Sequence, residues 1–303
     1  MSIDVIIPVY KPAEDFDDVL KKIMAQSVRP DNIILLQTIE NESEKVKEYS
    51  DENIKTYPIL KSKFDHGATR AYGASLSSAD YILFMTQDAV PDNDRLIEEL
   101  LKAFDDEKVG VAYARQLARK DSDILEKLTR VYNYPDKSMV KKKEDIERLG
   151  IKTFFCSDVC AMYKKSLYEE LGGFVKKAIF NEDMIMASRI IDNGNYVAYC
   201  ADAKVIHSHS YTCMQQFHRN FDLGVSQKQY SEVFDRISSE KEGAGFAGKT
   251  LKLLLKKGKL FKAFYFCMQC GFKLFGYKLG KNYDKLPKKV ILKCTMNKTY
   301  WEK

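Results

Sequence analysis

The stretch Tyr81-Ile82-Leu83-Phe84-Met85-Thr86-Gln87-Asp88-Ala89-Val90-Pro91 decides how this chain is read. Five largely apolar residues have the length of a buried strand, and they stop at a polar tripeptide holding one carboxylate. Pro91 closes the turn, and Asp92 and Asn93 stand where they can cap a helix running to Phe104. Open α/β sheets bind ligands outside the carboxyl ends of their strands, which is where Asp88 would lie. Asp is also an ordinary turn residue, so the segment alone leaves both readings open.

Working outward, strands are expected at Ile3–Pro8, Asn32–Gln37, Ile54–Pro58, Tyr81–Met85 and Val109–Ala114, with helices near Glu14–Ala25, His66–Leu76 and Asp92–Phe104. This alternation predicts an α/β fold, a mainly parallel sheet flanked by helices. After Arg119 the pattern changes. A helical stretch (Ser122–Val131) precedes the charged segment 136–148, which reads as a surface loop or lid. An apolar strand (Thr153–Tyr163), a short helix ending at Leu171-Gly172-Gly173 and a helix over Glu182–Asp192 follow, with Gly194 placed as its left-handed cap. Two short strands (Tyr196–Tyr199, Ala203–His207) lead to a helix from Thr212.

The 303 residues, 45% hydrophobic and 30% charged, suffice for one large domain or two smaller ones and exclude a disordered chain. No run reaches the roughly 18 apolar residues of a spanning helix, and no basic-then-apolar leader precedes Ile3. Seven scattered cysteines suit a reducing cytoplasm, and Cys267-Met-Gln-Cys270, lacking a second pair or a nearby His, reads as helix packing. Charge is uneven. From Phe246 to Lys303 fifteen lysines face only Asp284 and Glu302, a surplus of +13 in a chain of +6, so residues 1–245 carry −7. Basic residues interleaved with Leu and Phe suit an anionic membrane surface, or a helical subdomain packed on the body or on a second subunit; the acidic body argues against nucleic acid.

Three polar clusters stand outside the ordinary patterns. Lys63-Phe64-Asp65-His66-Gly67-Ala68-Thr69-Arg70 opens a helix whose free N–H groups, close-approach Gly67 and Arg70 fork would suit a phosphate, or it is an Asp-capped helix with a solvated Arg. Asn181-Glu182-Asp183 can cap a helix, yet adjacent acids also raise one another's pKa as a general base requires. His207-Ser208-His209 follows a strand, and alternate residues there can face one ligand beside a divalent cation.

In order and spacing these clusters resemble the inverting family 2 glycosyltransferases of GT-A fold, over roughly residues 3–225, beginning at Ile6-Ile7-Pro8-Val9-Tyr10. The rhamnosyltransferase-like branch is the nearer match, through Phe64-Asp65-His66-Gly67-Ala68-Thr69-Arg70, Thr86-Gln87-Asp88-Ala89, Tyr113-Ala114-Arg115-Gln116-Leu117, Gly172-Gly173-Phe174 with Glu182-Asp183, and His207-Ser208-His209 with Gln216-Phe217. The resemblance implies a catalytic domain at 1–225, with a nucleotide-sugar half (1–115) and an acceptor half (116–225), and a basic helical region at 226–303. It puts Asp88 and His209 on a Mg²⁺ or Mn²⁺ ion, and Pro8, Tyr10, Asp65, Gly67, Arg70, Gln87 and Asp88 on the donor. Arg115, Gln116, Asp158 and Glu182 fall to the acceptor, and Asp183, aided by Glu182, is the general base.

Two departures from the family pattern stand out. Thr86 replaces the usual first motif acid, and Gln37-Thr38 occupies the turn where an Asp ordinarily reads the base. The implied reaction is inverting transfer, L-rhamnose from dTDP-L-rhamnose by preference, onto a lipid-linked or growing surface polysaccharide at the cytoplasmic face of the cell membrane. A homo-oligomer is compatible with this. The alternative is a non-catalytic scaffold that binds a membrane or protein partner through its tail.

Overall fold

Apolar runs buried on both faces build a nine-stranded mixed sheet in a computed structural model that describes residues 1–236 and 240–302. Its strands are β1 (Ile3–Val9), β2 (Asn32–Ile39), β3 (Ile54–Leu60), β4 (Tyr81–Met85), β5 (Val90–Pro91), β6 (Val109–Leu117), β7 (Met139–Lys141), β8 (Cys160–Lys164) and β9 (Tyr196–Ile206). The order is β3-β2-β1-β4-β8-β6-β9-β5, with β7 beside β9. The helices are α1 (Phe16–Met24), α2 (His66–Leu76), α3 (Leu96–Leu101), α4 (Ile124–Asn133), α5 (Ile146–Leu149), α6 (Lys165–Glu170), α7 (Glu182–Asp192), α8 (Cys213–Gln229), α9 (Ser231–Phe234), α10 (Glu240–Lys256), α11 (Leu260–Lys281) and α12 (Lys288–Cys294).

The chain divides into two compact units. The first comprises Met1–Asp121, Asn133–Ala178 and Glu182–Ser208, and the second Ser122–Tyr132, Ile179–Asn181 and His209–Lys303. The second unit thus joins two short earlier segments to the stretch from His209 onward, whereas the family resemblance divides the chain at 225/226; residues 237–239 and 303 of the 226–303 region lie outside the described residues.

In the first unit β3, β2, β1 and β4 are parallel, and chain order reverses direction between β1 and β4. That is a topological switch point, where crossover helices leave on opposite faces and a crevice opens at the strand ends. Pro8 fits this position. β1 pairs with β4 only through Ile6, while its pairing with β2 continues to Val9, so the missing Pro8 N–H falls where the β4 side has separated.

Several elements differ from expectation. Residues 136–148 are no open lid: β7 pairs with β9, and Lys141 is buried with its ammonium on the Tyr113 hydroxyl and the carbonyls of Lys152 and Phe155. Burial pulls that amine down to about 7. Of the expected 153–163 strand only residues from Cys160 pair, the strand running on to Lys164, while 150–153 coil into a 3-10 turn. The expected strands at 196–199 and 203–207 are one strand, kept continuous by a bulge opposite Ala114/Arg115.

The second unit packs α8 against α11 along a seam of glycines. A Cβ on Gly276 would fall 2.3 Å from the Phe217 carbonyl oxygen, and one on Gly280 2.1 Å from that of Phe221. Phe217, Phe221, Val225 and Ile291 fill the core beside it. Gly280→Ala is expected to push the helices apart and cost about 1–3 kcal/mol. In chemical denaturation of the full chain its midpoint should fall, whereas Gly271→Ala, which faces open space, should leave the midpoint unchanged or slightly higher.

Candidate functional site

The carboxyl ends of β1 and β4 are tied together by Gln87. Its Oε1 accepts from Tyr10 N–H at 2.8 Å, and its Nε2 donates to the Tyr10 carbonyl at 3.1 Å. Gln87 thus holds the mouth of the crevice in shape. Tyr10 reaches outward and donates its hydroxyl to Glu40 at 2.7 Å, where Lys11 and Lys61 also pair with that acid. The Tyr10 hydroxyl and the two ammonium groups hold Glu40 down to about 2. Glu40 follows directly on β2, which runs two residues further than expected, to Ile39, and no sequence motif singles this acid out.

Next along the edge, Thr86 N–H donates to the Val159 carbonyl at 3.2 Å, so the tripeptide leans on the segment entering β8. Asp88 stays partly open, and its carboxylate lies 3.3 Å from Nε2 of His207. His207 is buried at the end of β9, its Nδ1 3.0 Å from Gln116 Oε1, while Gln116 Nε2 donates to Ser157 at 2.9 Å. If Gln116 Oε1 accepts from Nδ1–H, the lone pair of Nε2 is left on the Asp88 side. The carboxylate oxygen suits Mg²⁺ or Mn²⁺, and the imidazole nitrogen beside it favours the softer Mn²⁺. His209, which the resemblance also puts on the ion, belongs to the second unit, where its ring stacks on Tyr211. Gln116 lies behind His207, fully engaged, rather than toward an acceptor.

The third part of the edge is a carboxylate cluster. Arg70 is buried, its Nη1 2.9 Å from Glu182 and its Nε 3.6 Å from Asp158. Asp158, also buried, accepts the Tyr163 hydroxyl at 2.8 Å. Asp183 is less enclosed and accepts the N–H groups of Met184 (2.7 Å) and Asp158 (3.3 Å). Burial first, then the Glu182 charge, lift its carboxyl to about 7, against the pull of those two N–H groups. Asp158 is pushed well above the usual carboxylate range by burial and by Asp183.

This geometry corrects three assignments. Arg70 faces acids inside the protein, not a nucleotide, because Glu182 and Asp158 supply its counter-charge. The N–H groups of the 65–70 turn are taken by the Asp65 carboxylate, which accepts from Gly67, Ala68 and Ala178. Gly67 permits close approach, but of the Val175 carbonyl, 2.0 Å from where a Cβ would stand. Asp158 and Glu182 are too enclosed for acceptor contacts and position Asp183 from beneath. Asn181, expected to cap α7, has a left-handed backbone (φ 66), and its amide donates to Ser226. Arg115 lies on β6 with its Nε buried and without a hydrogen-bond partner among the described residues.

A switch-point crevice, an Asp–His pair and a carboxylate of raised pKa on one sheet edge define a GT-A transferase fold. Residues 4–172 match the family described as Glycosyl transferase family 2, and the chain belongs to that family. Within it the chain falls in the rhamnosyltransferase-like branch. It is 38% identical to the O-antigen chain rhamnosyltransferase RfbN of Salmonella typhimurium and 35% identical to WbaN of Salmonella anatum, in each case over 99% of this chain and 96% of the relative. The fold is similar to that of mannosyltransferase PcManGT from Pyrobaculum calidifontis (TM-score 0.62, 13% identity, 94% of this chain and 88% of that one). It is also similar to S. aureus TarS 1-349 (TM-score 0.53, 11% identity, 94% and 91%).

Removing the buried cation should strand its partners. Arg70→Met is expected to destabilise by about 3–5 kcal/mol, and Glu182→Gln in the same chain should restore part of the loss. Denaturant melts of the two single variants and the double variant measure the coupling; strict additivity would show that the pair does not interact.

Proposed function

We propose that this glycosyltransferase moves a sugar with inversion, L-rhamnose from dTDP-L-rhamnose by preference, onto a hydroxyl of a lipid-linked or growing O-antigen polysaccharide. The observation that carries the reading is Asp183. It is a partly open carboxylate at the start of α7, lifted to about 7, and joined through Asp158 N–H to the segment that supports the β4 end. A base for one displacement at an anomeric carbon needs a pKa near the working pH and an open path to a hydroxyl. Asp183 would take the acceptor proton, while Glu182 and Asp158 fix its position. The choice of rhamnose is supported by the names of the two Salmonella relatives, and the dTDP carrier by the branch resemblance alone.

Asp88 and His207, with His209 as the sequence pattern suggests, would hold a divalent ion, and the structural relative PcManGT was solved with GDP-Man and Mn²⁺. When bound, that ion supplies positive charge to the departing diphosphate. Gln87 and Tyr10 shape the donor crevice, and Gln116 sets the His207 tautomer. Gln116→Leu should therefore weaken Mn²⁺ binding, followed by the bound Mn²⁺ spin signal, about 10–100-fold.

Asp183→Asn should lower transfer by about 10²–10⁴-fold and leave nucleotide-sugar binding intact. Wild-type kcat should rise with pH through about 7, as the base loses its proton. Stability runs the other way. The folded pKa lies above the unfolded value of about 3.9, so the native state holds the extra proton and its contribution fades as pH rises from about 4 to 7. Asp183→Asn should accordingly gain Tm relative to wild type as pH goes from 5 to 8. Turnover unchanged in this variant would remove Asp183 from the mechanism.

A further inference from the structure

Helix α11 carries apolar residues on both of its sides. One side, through Ala263, Phe266, Gly276 and Gly280, is buried inside the second unit. On the other, Phe261 is 93% exposed, Phe264 68%, Met268 39% and Phe275 63%. Steps of three, four and seven residues place these four on one stripe. Soluble surfaces scatter such side chains singly, whereas here three exposed phenylalanines share a face that continues into an apolar groove with Met214 and Phe272.

Charge decides what covers it. The turn entering α11 presents exposed Lys256, Lys257 and Lys259, and the stretch from Phe246 onward carries +13. Two copies of this face would bring like charge together, which disfavours self-association. A surface that is negative outside and apolar beneath satisfies both the lysines and the phenylalanines. Among the described residues no helix is long and apolar enough to cross a membrane, so the fit is to lying on one.

We infer that this face of α11 docks on an anionic phospholipid bilayer, with Phe261, Phe264 and Phe275 entering the acyl boundary and the preceding lysines on the headgroups. The inference does not rest on the catalytic assignment, since binding requires no turnover.

Flotation of the full-length protein with phosphatidylcholine vesicles, with and without about one-third phosphatidylglycerol, tests it. The protein should float with the anionic vesicles and much less with the neutral ones, and added salt should weaken the attachment. Phe261→Ser, Phe264→Ser and Phe275→Ser together should lower partitioning at least about tenfold at an unchanged unfolding midpoint. Wild type that stays unbound, or a triple variant that floats equally well, overturns the inference. So does a wild-type dimer that the triple variant dissolves without any vesicle binding, which would assign the face to a second copy.

Discussion

The guanidinium of Arg70 is the constraint on which the rest of the site depends. Asp158, Glu182 and Asp183 converge at one sheet edge, and unit charges about 4 Å apart near a protein surface interact by about 4 kcal/mol. Three carboxylates left to themselves would be kept apart or protonated. Arg70, reaching in from α2, pairs with Glu182 and approaches Asp158, so the start of α7 can settle against the segment entering β8. Asp183 then lies beside a Glu182 that is already paired, and its elevation comes from enclosure more than from charge. A base near neutrality is what that balance produces. The same cation placed on a substrate phosphate would leave Glu182 buried and unpaired.

A second chain of contacts plays the corresponding part for Asp88. Ser157, Gln116, His207 and Asp88 form a relay from β8 through β6 and β9 to the end of β4, and each member limits the next. Ser157 and Asp158 are adjacent, so the segment 157–159 serves both constellations. Its backbone binds Thr86 on one side and Asp183 on the other. The cost of disturbing it would appear at both ends of the edge together, which couples the two halves of the site although their side chains do different chemistry.

Much of this was legible in the sequence, because β4, α2 and α7 have unambiguous periodicity and their polar ends lie where the structure places them. What escaped was partnership across long separations. Arg70 and Glu182 are 112 residues apart, and nothing local shows that a helix-start arginine will turn inward. His207 and His209 look equivalent as a pair; only the pairing of β6 with β9, which sets Gln116 behind His207, distinguishes them. Lys141 in a charged run reads as solvated, and its burial follows from the pairing of β7 with β9. Glu40 belongs to no motif, and only its ties to Tyr10, Lys11 and Lys61 mark it out.

The second unit poses the same problem in reverse, since its sequence is rich in Phe and Lys and its interior is set by glycine. Gly276 and Gly280 bring α11 so close to α8 that side chains are excluded from the seam. A helix seated on backbone needs few large residues on its buried side, which leaves Phe261, Phe264 and Phe275 on the other. The glycine seam and the exposed phenylalanines are therefore two sides of one arrangement. Charge supplies the remaining distinction, because a +13 segment joined to a −7 body can favour an anionic surface through one part of the chain and be repelled through the other.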